Sequence, residues 1–422
     1  MITLTELTKA YEDGKALYEE MLAGEAIFKK TEEYGTDPTN TICLGDNLEY
    51  MIHLIKNKGM AGKLQLIYVD PPFFSSGKYQ ASIRLESEIL GKSSLMKLEA
   101  YDDNWSKGMP QYLTMLTARI FAMKELLSDT GCIWLHLDWH GVYYAKVIMD
   151  QIFGESNFVN EIIWTYKSGG SSKKSFAKKH DTLLVYSKSK KYKFNPLREK
   201  SYNRGLKPYR FKGVEEFCDE VGWYTMVNMK DVWSIDMVGR TSAERTGYAT
   251  QKPEKLMERI IASCTDEGDL CADFFAGSGT LGAVCEKMGR HWIMCDEGEL
   301  SVSGQIHRLG KLRSKFAVER EDAAVCGTLE YSISGGLINL ISYESGMPEG
   351  LEEYEKELER YIVQDSLCMV KCWSAGIKGE DGVHRADEVF CDSWGIKEVG
   401  ESIDEISVIG YDVFGRRLSK KE

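Results

Sequence analysis

The segment Asp70-Pro71-Pro72-Phe73 directly follows the apolar run Leu64–Val69. The run predicts a buried strand, and the prolines predict its end, since proline cannot donate to a strand ladder. At a strand end, the Asp70 carboxylate and the Pro71 carbonyl can both accept hydrogen bonds from an exocyclic amino group. They would localise its lone pair on nitrogen for in-line attack on a methyl group. Phe73 offers a stacking face to a base rotated out of a duplex. A strand-ending turn would also explain the prolines, but it gives Phe73 no role.

A second segment, Asp273-Phe274-Phe275-Ala276-Gly277-Ser278-Gly279-Thr280, lies between a predicted strand and a predicted helix. Asp296 follows 16 residues after Thr280, at the end of the next predicted strand. Glycines let a backbone approach a ligand closely, and an acid at the second strand tip can bind ribose hydroxyls. The segment is not a Walker A loop, because no lysine follows its second glycine, and it is not GxGxxG. It predicts a nucleoside-cofactor site, with a plain turn as the alternative.

Together the two segments resemble the amino-group-specific DNA methyltransferases that use S-adenosylmethionine. The motifs of that family are D/N/S-P-P-Y/F/W and F-x-G-x-G, and the order of the motifs in this chain is similar to that of its β class. Gly45-Asp46-Asn47 resembles the turn whose acid accepts the adenine amino group of the cofactor. Gln251-Lys252-Pro253 resembles the helix start that meets the methionine carboxylate. The resemblance covers roughly residues 41 to 320, with Phe73 standing where tyrosine is commoner.

The resemblance implies an α/β, Rossmann-like fold with a mixed, mainly parallel sheet and helices on both faces. It implies transfer of the sulfonium methyl group to the N6 amino group of adenine in double-stranded DNA, by base flipping and without a covalent intermediate. The implied catalytic residues are Asp70, Pro71, Pro72 and Phe73. The implied cofactor-binding residues are Asp46, Asn47, Asp70, Lys252, Pro253, Asp273, Phe275, Ala276, Gly277, Ser278, Gly279, Thr280 and Asp296.

The target base is adenine or cytosine on this reasoning. In this family an aspartate at the first motif position goes with adenine, and a serine more often with cytosine. The N4 amino group of cytosine is equally suitable chemically and stays the alternative. Methylation at carbon 5 of cytosine is excluded, because it needs a nucleophilic Cys after Pro and none of the 8 prolines is followed by Cys.

The charge distribution predicts a DNA partner. The net charge is −12, yet the window from Thr165 to Lys212 holds 15 Lys and Arg against 2 acids, and the remaining 374 residues carry −25. Aromatic residues are interleaved with the basic ones, which is typical of surfaces that contact phosphates and stack on bases. A solvated face is the alternative. The candidate DNA-binding residues are Lys173, Lys174, Lys178, Lys179, Arg204 and Arg210. We expect the window to project from the carboxyl edge of the sheet, beside the predicted chemistry.

Composition narrows the class of protein. The 422 residues are 43% hydrophobic and 28% charged, which is typical of a water-soluble globular chain with a sizeable core. Eleven scattered cysteines, no long apolar stretch and an acidic beginning predict a cytoplasmic protein with reduced thiols. His136 and His140 are four apart but lack the HExxH glutamate, so we expect core or loop histidines and no metal site.

Five regions are predicted along the chain. Residues 1–40 are expected to be a helical extension, 41–164 the catalytic half and 165–245 the DNA-recognition insert. Residues 246–325 are expected to be the cofactor half and 326–422 a small α+β appendage. Residues 74–105 are expected to be a long irregular loop with a functional role, and within it Asp102, Asp103 and Trp105 are expected to be solvated or to act on the base or cofactor.

Two functions of other classes remain open at this point. A non-catalytic DNA-binding subunit would be expected to lose Asp70 or the glycine turn, and both are present. A methyltransferase for protein or RNA would not need a long basic insert. Beyond double-stranded DNA, a homodimer and a companion restriction subunit are compatible partners, and no membrane association is expected.

Overall fold

The centre of the computed structural model is a strand with no exposed residue, Leu64–Val69. Its side chains alternate between two cores: Ile67 and Val69 pack in one, Leu66 and Tyr68 in the other. A strand buried on both faces is expected in a parallel sheet that helices cover on each side. The structure describes residues 2–87, 89–167, 173–322, 324–348, 351–398 and 406–420.

The helices and strands are numbered in chain order. The helices are α1 (Leu4–Ala23), α2 (Asn47–Lys56), α3 (Met109–Leu126), α4 (Val142–Phe153), α5 (Glu254–Cys264), α6 (Thr280–Met288), α7 (Glu299–Lys311) and α8 (Glu355–Asp365). The strands up to the end of the basic window are β1 (Lys29–Tyr34), β2 (Asn40–Leu44), β3 (Leu64–Val69), β4 (Lys78–Ser87), β5 (Lys92–Asp102), β6 (Leu127–Leu137), β7 (Phe158–Thr165), β8 (His180–Ser187), β9 (Arg198–Tyr202), β10 (Phe217–Cys218), β11 (Trp223–Asn228) and β12 (Val232–Ser234). The later strands are β13 (Leu270–Asp273), β14 (His291–Asp296), β15 (Phe316–Arg320), β16 (Gly327–Ser334), β17 (Leu337–Ser345), β18 (Val370–Lys378), β19 (His384–Ala386), β20 (Phe390–Cys391), β21 (Lys397–Glu398), β22 (Ile406–Asp412) and β23 (Arg417–Lys420).

The main sheet runs in the order β12, β7, β8, β6, β3, β13, β14, β2, β15, β1. Its strands are parallel except β8 and β1. Residues of α1 to α4 pack in one core and residues of α5 to α7 in the other. This confirms the predicted fold class. The chain order changes direction between β3 and β13, and such switch points are where open α/β sheets bind ligands.

Several expected boundaries need correction. The N-terminal extension is not wholly helical, because β1 adds an antiparallel strand to the sheet. The segment after Phe73 is not an irregular loop but the two-stranded hairpin β4–β5. Its strands alternate exposed and buried positions over only part of their length, which made the strand pattern weak.

The predicted insert at 165–245 is not one separate body. Strands β8 and β12 belong to the main sheet, and the other three strands form a small sheet ordered β10, β11, β9. Residues 168–172 of this window lie outside the described residues. Among the described residues, no helix combines the length and the apolar character that crossing a membrane requires.

The C-terminal appendage is α+β as expected, but it is continuous with the main sheet. Strand β19 pairs with β1, so the sheet passes directly from one part into the other. Ile83, Leu85 and Met96 of the hairpin share a core with appendage residues such as Leu340 and Trp373. The appendage therefore supports the hairpin as well as the edge of the main sheet.

A buried ionic cluster joins β1 to the appendage. The Glu32 carboxylate is fully buried, lies 2.8 Å from Arg417 Nε and 3.6 Å from Arg320 Nη2, and accepts hydrogen bonds from Tyr34 and Tyr411. Burial alone would raise the pKa of Glu32, but the two arginines and the two hydroxyls outweigh burial and lower it to about 2.

Replacing Glu32 by alanine leaves two arginines without their anion, and losing one partner of a buried ion pair costs about 3–5 kcal/mol. We expect the free energy of unfolding at pH 7, measured by urea denaturation, to fall by that amount. Because the folded-state pKa of Glu32 is lowered, the wild type should have the higher free energy of unfolding above about pH 4.5. This difference from the variant should disappear as the pH falls toward 2. Glu33→Ala is the matched control, since its partners Lys30 and Arg385 are solvent-accessible and the loss should stay below about 1 kcal/mol. Equal urea midpoints for Glu32→Ala and wild type would contradict the assignment.

Candidate active site

The carboxyl ends of four neighbouring strands bring the predicted motifs to one edge of the sheet. Asp70 follows β3, Asp273 ends β13, Asp296 ends β14 and Asp46 follows β2. The pairing is in register, with Asp273 opposite Tyr68 and Asp296 opposite Leu44. Parallel pairing alone therefore gathers residues that lie more than 200 positions apart in the sequence.

A cleft of about 440 Å³ opens at this edge. Its lining includes all four catalytic candidates and most of the predicted cofactor residues, namely Asn47, Asp70, Pro71, Pro72, Phe73, Lys252, Asp273, Phe275, Ala276, Gly277, Ser278, Thr280 and Asp296. Three predicted cofactor residues, Asp46, Pro253 and Gly279, adjoin the lining residues without forming part of it.

The two oxygens of Asp70 have different environments. Oδ2 accepts a hydrogen bond from Lys252 Nζ at 2.5 Å, so the first motif is ionically bound to the helix-start motif. Oδ1 is buried without a hydrogen-bond partner. Lys252 Nζ also lies 5.2 Å from the centre of the Phe73 ring. A buried acceptor that lacks a donor is costly, so a donor that reached Oδ1 would remove that cost.

Side chains of α7 hold the glycine turn by donating hydrogen bonds to its backbone carbonyl groups. Ser301 Oγ and Gln305 Nε2 donate to the Gly277 carbonyl at 2.6 and 3.2 Å. Gly277 has φ +47°, and a Cβ there would lie 3.3 Å from the Tyr248 ring. Gly279 has φ +71° and would place a Cβ 2.9 Å from Gln305. Both positions require glycine, and the turn leaves a cradle that a side chain would fill.

Asp296 holds the turn to the end of β14. Its Oδ2 accepts from the Gly277 N–H at 2.8 Å and its Oδ1 from the Gly298 N–H at 2.9 Å. Burial raises the pKa of Asp296, while these backbone donors oppose the rise. Burial, with the Asp70 and Asp296 charges, raises the pKa of Asp273 well above its ordinary value, against the Phe275 N–H.

Asp46 makes structural contacts of its own, and the cofactor role expected for it stays a prediction. Its Oδ1 caps α2 by accepting from the Leu48 and Glu49 N–H groups, and its Oδ2 binds Arg119 Nη2 at 2.6 Å. Arg119 also donates to Asn47 Oδ1 at 2.5 Å. Asn47 and Arg119, to which Asp46 is adjacent or bound, line the cleft. Arg119 lies in the middle of α3, where no sequence motif marks it.

The hairpin supplies aromatic residues that the sequence analysis did not assign to the site. Tyr79 and Tyr101 stack with ring centres 4.7 Å apart, and both line the cleft with Trp105. Tyr248 closes another part of the wall beside Gly277. Stacked aromatic rings around a polar floor suit flat heterocyclic ligands.

Asp103 fixes the chain on both sides of the hairpin. The fully buried carboxylate accepts from Phe74 N, Ser75 N, Ser75 Oγ and Trp105 Nε1 at 2.6–3.1 Å. The expectation of a solvated acid is wrong for Asp103, which instead ties the segment after Phe73 to the end of β5.

The six predicted DNA-binding residues fall into two groups. Lys173, Lys174, Lys178 and Lys179 lie on the connection from β7 to β8, at the same sheet edge as Asp70. Lys178 Nζ lies 3.3 Å from the centre of the Trp139 ring, and Trp139 follows β6 at that edge. This part of the window has the expected location.

Arg204 and Arg210 lie on a different part of the window from the lysines, and their role in DNA binding stays a prediction. They are exposed on the segment that holds the small sheet, and this segment begins at the opposite edge of the main sheet. Asn195 there binds the carbonyl groups of Ser263 and Thr265, at the end of α5. The reason is the direction of β8, which runs antiparallel and carries the chain away from the cleft.

Residues 64–303 match the model of a protein family described as DNA methylase, the N6/N4 methyltransferases. The chain belongs to this family. The methylase is 26% identical over 291 residues to the Type II methyltransferase M.HinfI of Haemophilus influenzae, an alignment that covers 66% of this chain and 70% of the relative.

Two solved structures are also similar to the methylase. The M1.HpyAVI–SAM complex is 18% identical with a TM-score of 0.41, over 64% of this chain and 99% of that one. The cytosine-N4-specific PvuII DNA methyltransferase is 16% identical with a TM-score of 0.44, over 67% of this chain and 90% of that one.

We predict that Asp296→Ala weakens cofactor binding by the methylase. The change removes a charged acceptor and frees the Gly277 N–H, and a charge-assisted hydrogen bond contributes roughly 1.5–3 kcal/mol, or about 10- to 150-fold in affinity. Calorimetric titration with S-adenosylmethionine measures the loss. Asp322→Ala, which removes an exposed acid outside the cleft, should leave the affinity unchanged. An unchanged affinity for Asp296→Ala would refute its role.

Proposed function

We propose that this DNA methylase transfers a methyl group to the N6 amino group of adenine at a defined short sequence in double-stranded DNA. The observation that carries the proposal is the segment Asp70–Phe73 at the end of β3, all four residues of which line the cleft, with one oxygen of the Asp70 carboxylate, Oδ1, left without a hydrogen-bond donor. An exocyclic amino group is a donor that satisfies it.

S-adenosylmethionine is the cofactor of this methylase, and the cleft fits it. The Gly277 cradle admits close approach of a ligand, and Asn47, Asp296 and Lys252 provide acceptors and a cation for its hydroxyl, amino and carboxylate groups. When bound, the cofactor supplies an electrophilic methyl group on a sulfonium sulfur.

The residues of the chain account for the remaining requirements. Asp70 Oδ1 and the Pro71 carbonyl accept the two N–H bonds of the target amino group, which draws its lone pair out of the ring and toward the methyl group. Lys252 holds the Asp70 carboxylate in place through Oδ2. Phe73, Tyr79 and Tyr101 supply rings against which an extruded base can stack.

Adenine is favoured over cytosine by the aspartate at position 70, following the family resemblance. Transfer to the N4 group of cytosine is the second candidate, because the carboxylate and carbonyl acceptors fit either amino group. Double-stranded DNA is the proposed macromolecular substrate, and the lysines between β7 and β8 support it. A homodimer and a companion restriction subunit stay predictions.

The decisive test is to express the chain in a host that lacks DNA methylases and then to sequence the host DNA with modified-base detection. We expect N6-methyladenine at one short motif. Asp70→Ala should abolish the modification while leaving affinity for S-adenosylmethionine within about tenfold, since the lost acceptor acts mainly on the transition state. Asp129→Ala, at an exposed position on the opposite edge, is the control and should modify the DNA fully. N4-methylcytosine would select the second candidate, and full modification by Asp70→Ala would refute the mechanism.

Neutralising Lys173, Lys174, Lys178 and Lys179 together should weaken binding to every DNA sequence. If each contacts a phosphate, the slope of log affinity against log salt should flatten by roughly 3–4, at about 0.9 per lost contact. Preference for the cognate site should survive, because phosphate contacts position the protein without specifying sequence. The control neutralises four exposed lysines away from the cleft, Lys9, Lys15, Lys29 and Lys356. Equal slopes for the two quadruple variants would show that the loop is only a solvated surface.

A further inference from the structure

The chain turns directly after Phe73, and the backbone of this turn is strained. Phe74 has φ +61° and Ser76 has φ +57°, in the left-handed region that residues other than glycine rarely adopt. Such residues persist only where the surrounding structure holds them, and they cluster at functional sites. Here the strain begins one residue after the segment Asp70–Phe73 that lines the cleft.

The buried carboxylate of Asp103 holds this turn. It accepts hydrogen bonds from the Phe74 N–H at 3.1 Å, the Ser75 N–H at 2.6 Å and Ser75 Oγ at 2.7 Å. The N–H of Asp103 donates to the Gly77 carbonyl at 2.9 Å. The turn is therefore bound by both the side chain and the backbone of one residue, and these bonds offset the cost of its strained backbone.

Other residues of the hairpin complete the network around Asp103. Trp105 Nε1 donates to the carboxylate at 2.9 Å, so each of its two oxygens accepts two hydrogen bonds. Because Ser75 Oγ gives its hydrogen to Asp103, the Tyr79 hydroxyl donates to Ser75 Oγ, at 2.8 Å. The rings of Phe74 and Trp105 both pack against Tyr112. The apolar contacts hold the turn against the core, and the carboxylate fixes its backbone.

The turn determines where the ring of Phe73 lies. Phe73 stands between the two prolines that end β3 and the first strained residue, so its backbone is fixed on both sides. Its ring lies 5.5 Å from the ring of the buried His136 and 5.2 Å from Lys252 Nζ. A change in the turn would move this ring relative to Lys252 and to the Asp70 carboxylate that Lys252 binds.

We propose that Asp103 is a positioning residue for methyl transfer: by holding the strained turn, it places the Phe73 ring where the extruded target base stacks. The inference rests on the proposed function, because it concerns the same base. Asp103 touches neither base nor cofactor. It acts through Phe73 on the distance between the target amino group and the methyl group, so its removal should slow the chemical step.

The first test is a double-mutant cycle measured by single-turnover methylation of a duplex that carries the site found in the host DNA. Asp103→Asn keeps the size of the side chain but turns one acceptor into a donor that faces the donors of the turn. It should lower the rate roughly ten- to a hundredfold, as a displacement of about 1 Å does. Affinity for S-adenosylmethionine should stay within about threefold, since the change acts on the placement of the base.

In a Phe73→Ala background, Asp103→Asn should lower the rate by less than about threefold, because the ring through which Asp103 acts is absent. A residue that only stabilises the fold would cost the same factor in both backgrounds. Thermal unfolding verifies that each variant is folded at the assay temperature.

The second test relieves the strain itself. Ser76 is exposed, so Ser76→Gly mainly removes the cost of a positive φ. The wild-type rate should stay within about twofold, and the rate of Asp103→Asn should recover about threefold or more, because glycine adopts this conformation without the carboxylate. Asp37→Gly is the matched control. Asp37 is exposed with φ +50°, and it precedes β2 at the edge of the sheet opposite the cleft, so its relief should not restore the rate.

Glu86→Gln, which removes an exposed acid of β4, is the control for the hairpin and should keep the wild-type rate. Equal losses from Asp103→Asn in the two Phe73 backgrounds overturn the proposal, and so does a Ser76→Gly change that restores nothing. If Asp103→Asn does not fold, Ser75→Ala, which removes one donor to the carboxylate, replaces it in both tests under the same criteria. Absence of methyl transfer by the wild type would instead refute the proposed function.

Discussion

In-register parallel pairing of β2, β14, β13 and β3 is the constraint from which the site follows. Every parallel strand ends at the same edge, so residues far apart in the chain meet without any dedicated contact between them. The ion pair between Lys252 and Asp70 then connects the two halves across the switch point. The glycine turn fits the same edge because its carbonyl groups are bound from α7, which leaves the opposite side open to the cleft.

The sequence predicted the central strands and helices closely. Strand β3 has the predicted bounds, and the strand and helix predicted to follow the glycine turn are present as β14 and α6, because apolar runs and flanking glycines or prolines mark them. The hairpin β4–β5 and strand β1 were missed, since their buried faces pack against the appendage and that partner is not visible in local periodicity. The start of the segment that carries Arg204 and Arg210, at the opposite edge of the sheet, was also not predicted, because it depends on β8 running antiparallel to its neighbours.

For the site residues too, features set by the local sequence were predicted and features set by distant residues were not. Local motifs predicted that Asp70, Lys252, the glycine turn and Asp296 share one site, since each motif carries its own turn or helix start, and all four line the cleft. Arg119 and Asp103 act through partners that no local motif indicates, so the sequence did not reveal their contacts. Asp46 combines both: its motif was visible, while its cap on α2 and its bond to Arg119 were not predicted.

The connection of each peripheral part to the main sheet determines how easily that part can be replaced during evolution. The chain enters and leaves the small sheet of β9, β10 and β11 side by side, with Met229 N–H bonded to the Leu197 carbonyl. A different module could therefore replace this sheet with little effect on the rest. The appendage shares a sheet, an ionic cluster and an apolar core with the catalytic part. It can change only together with β1 and the hairpin, and we therefore expect these three segments to be inherited as one unit.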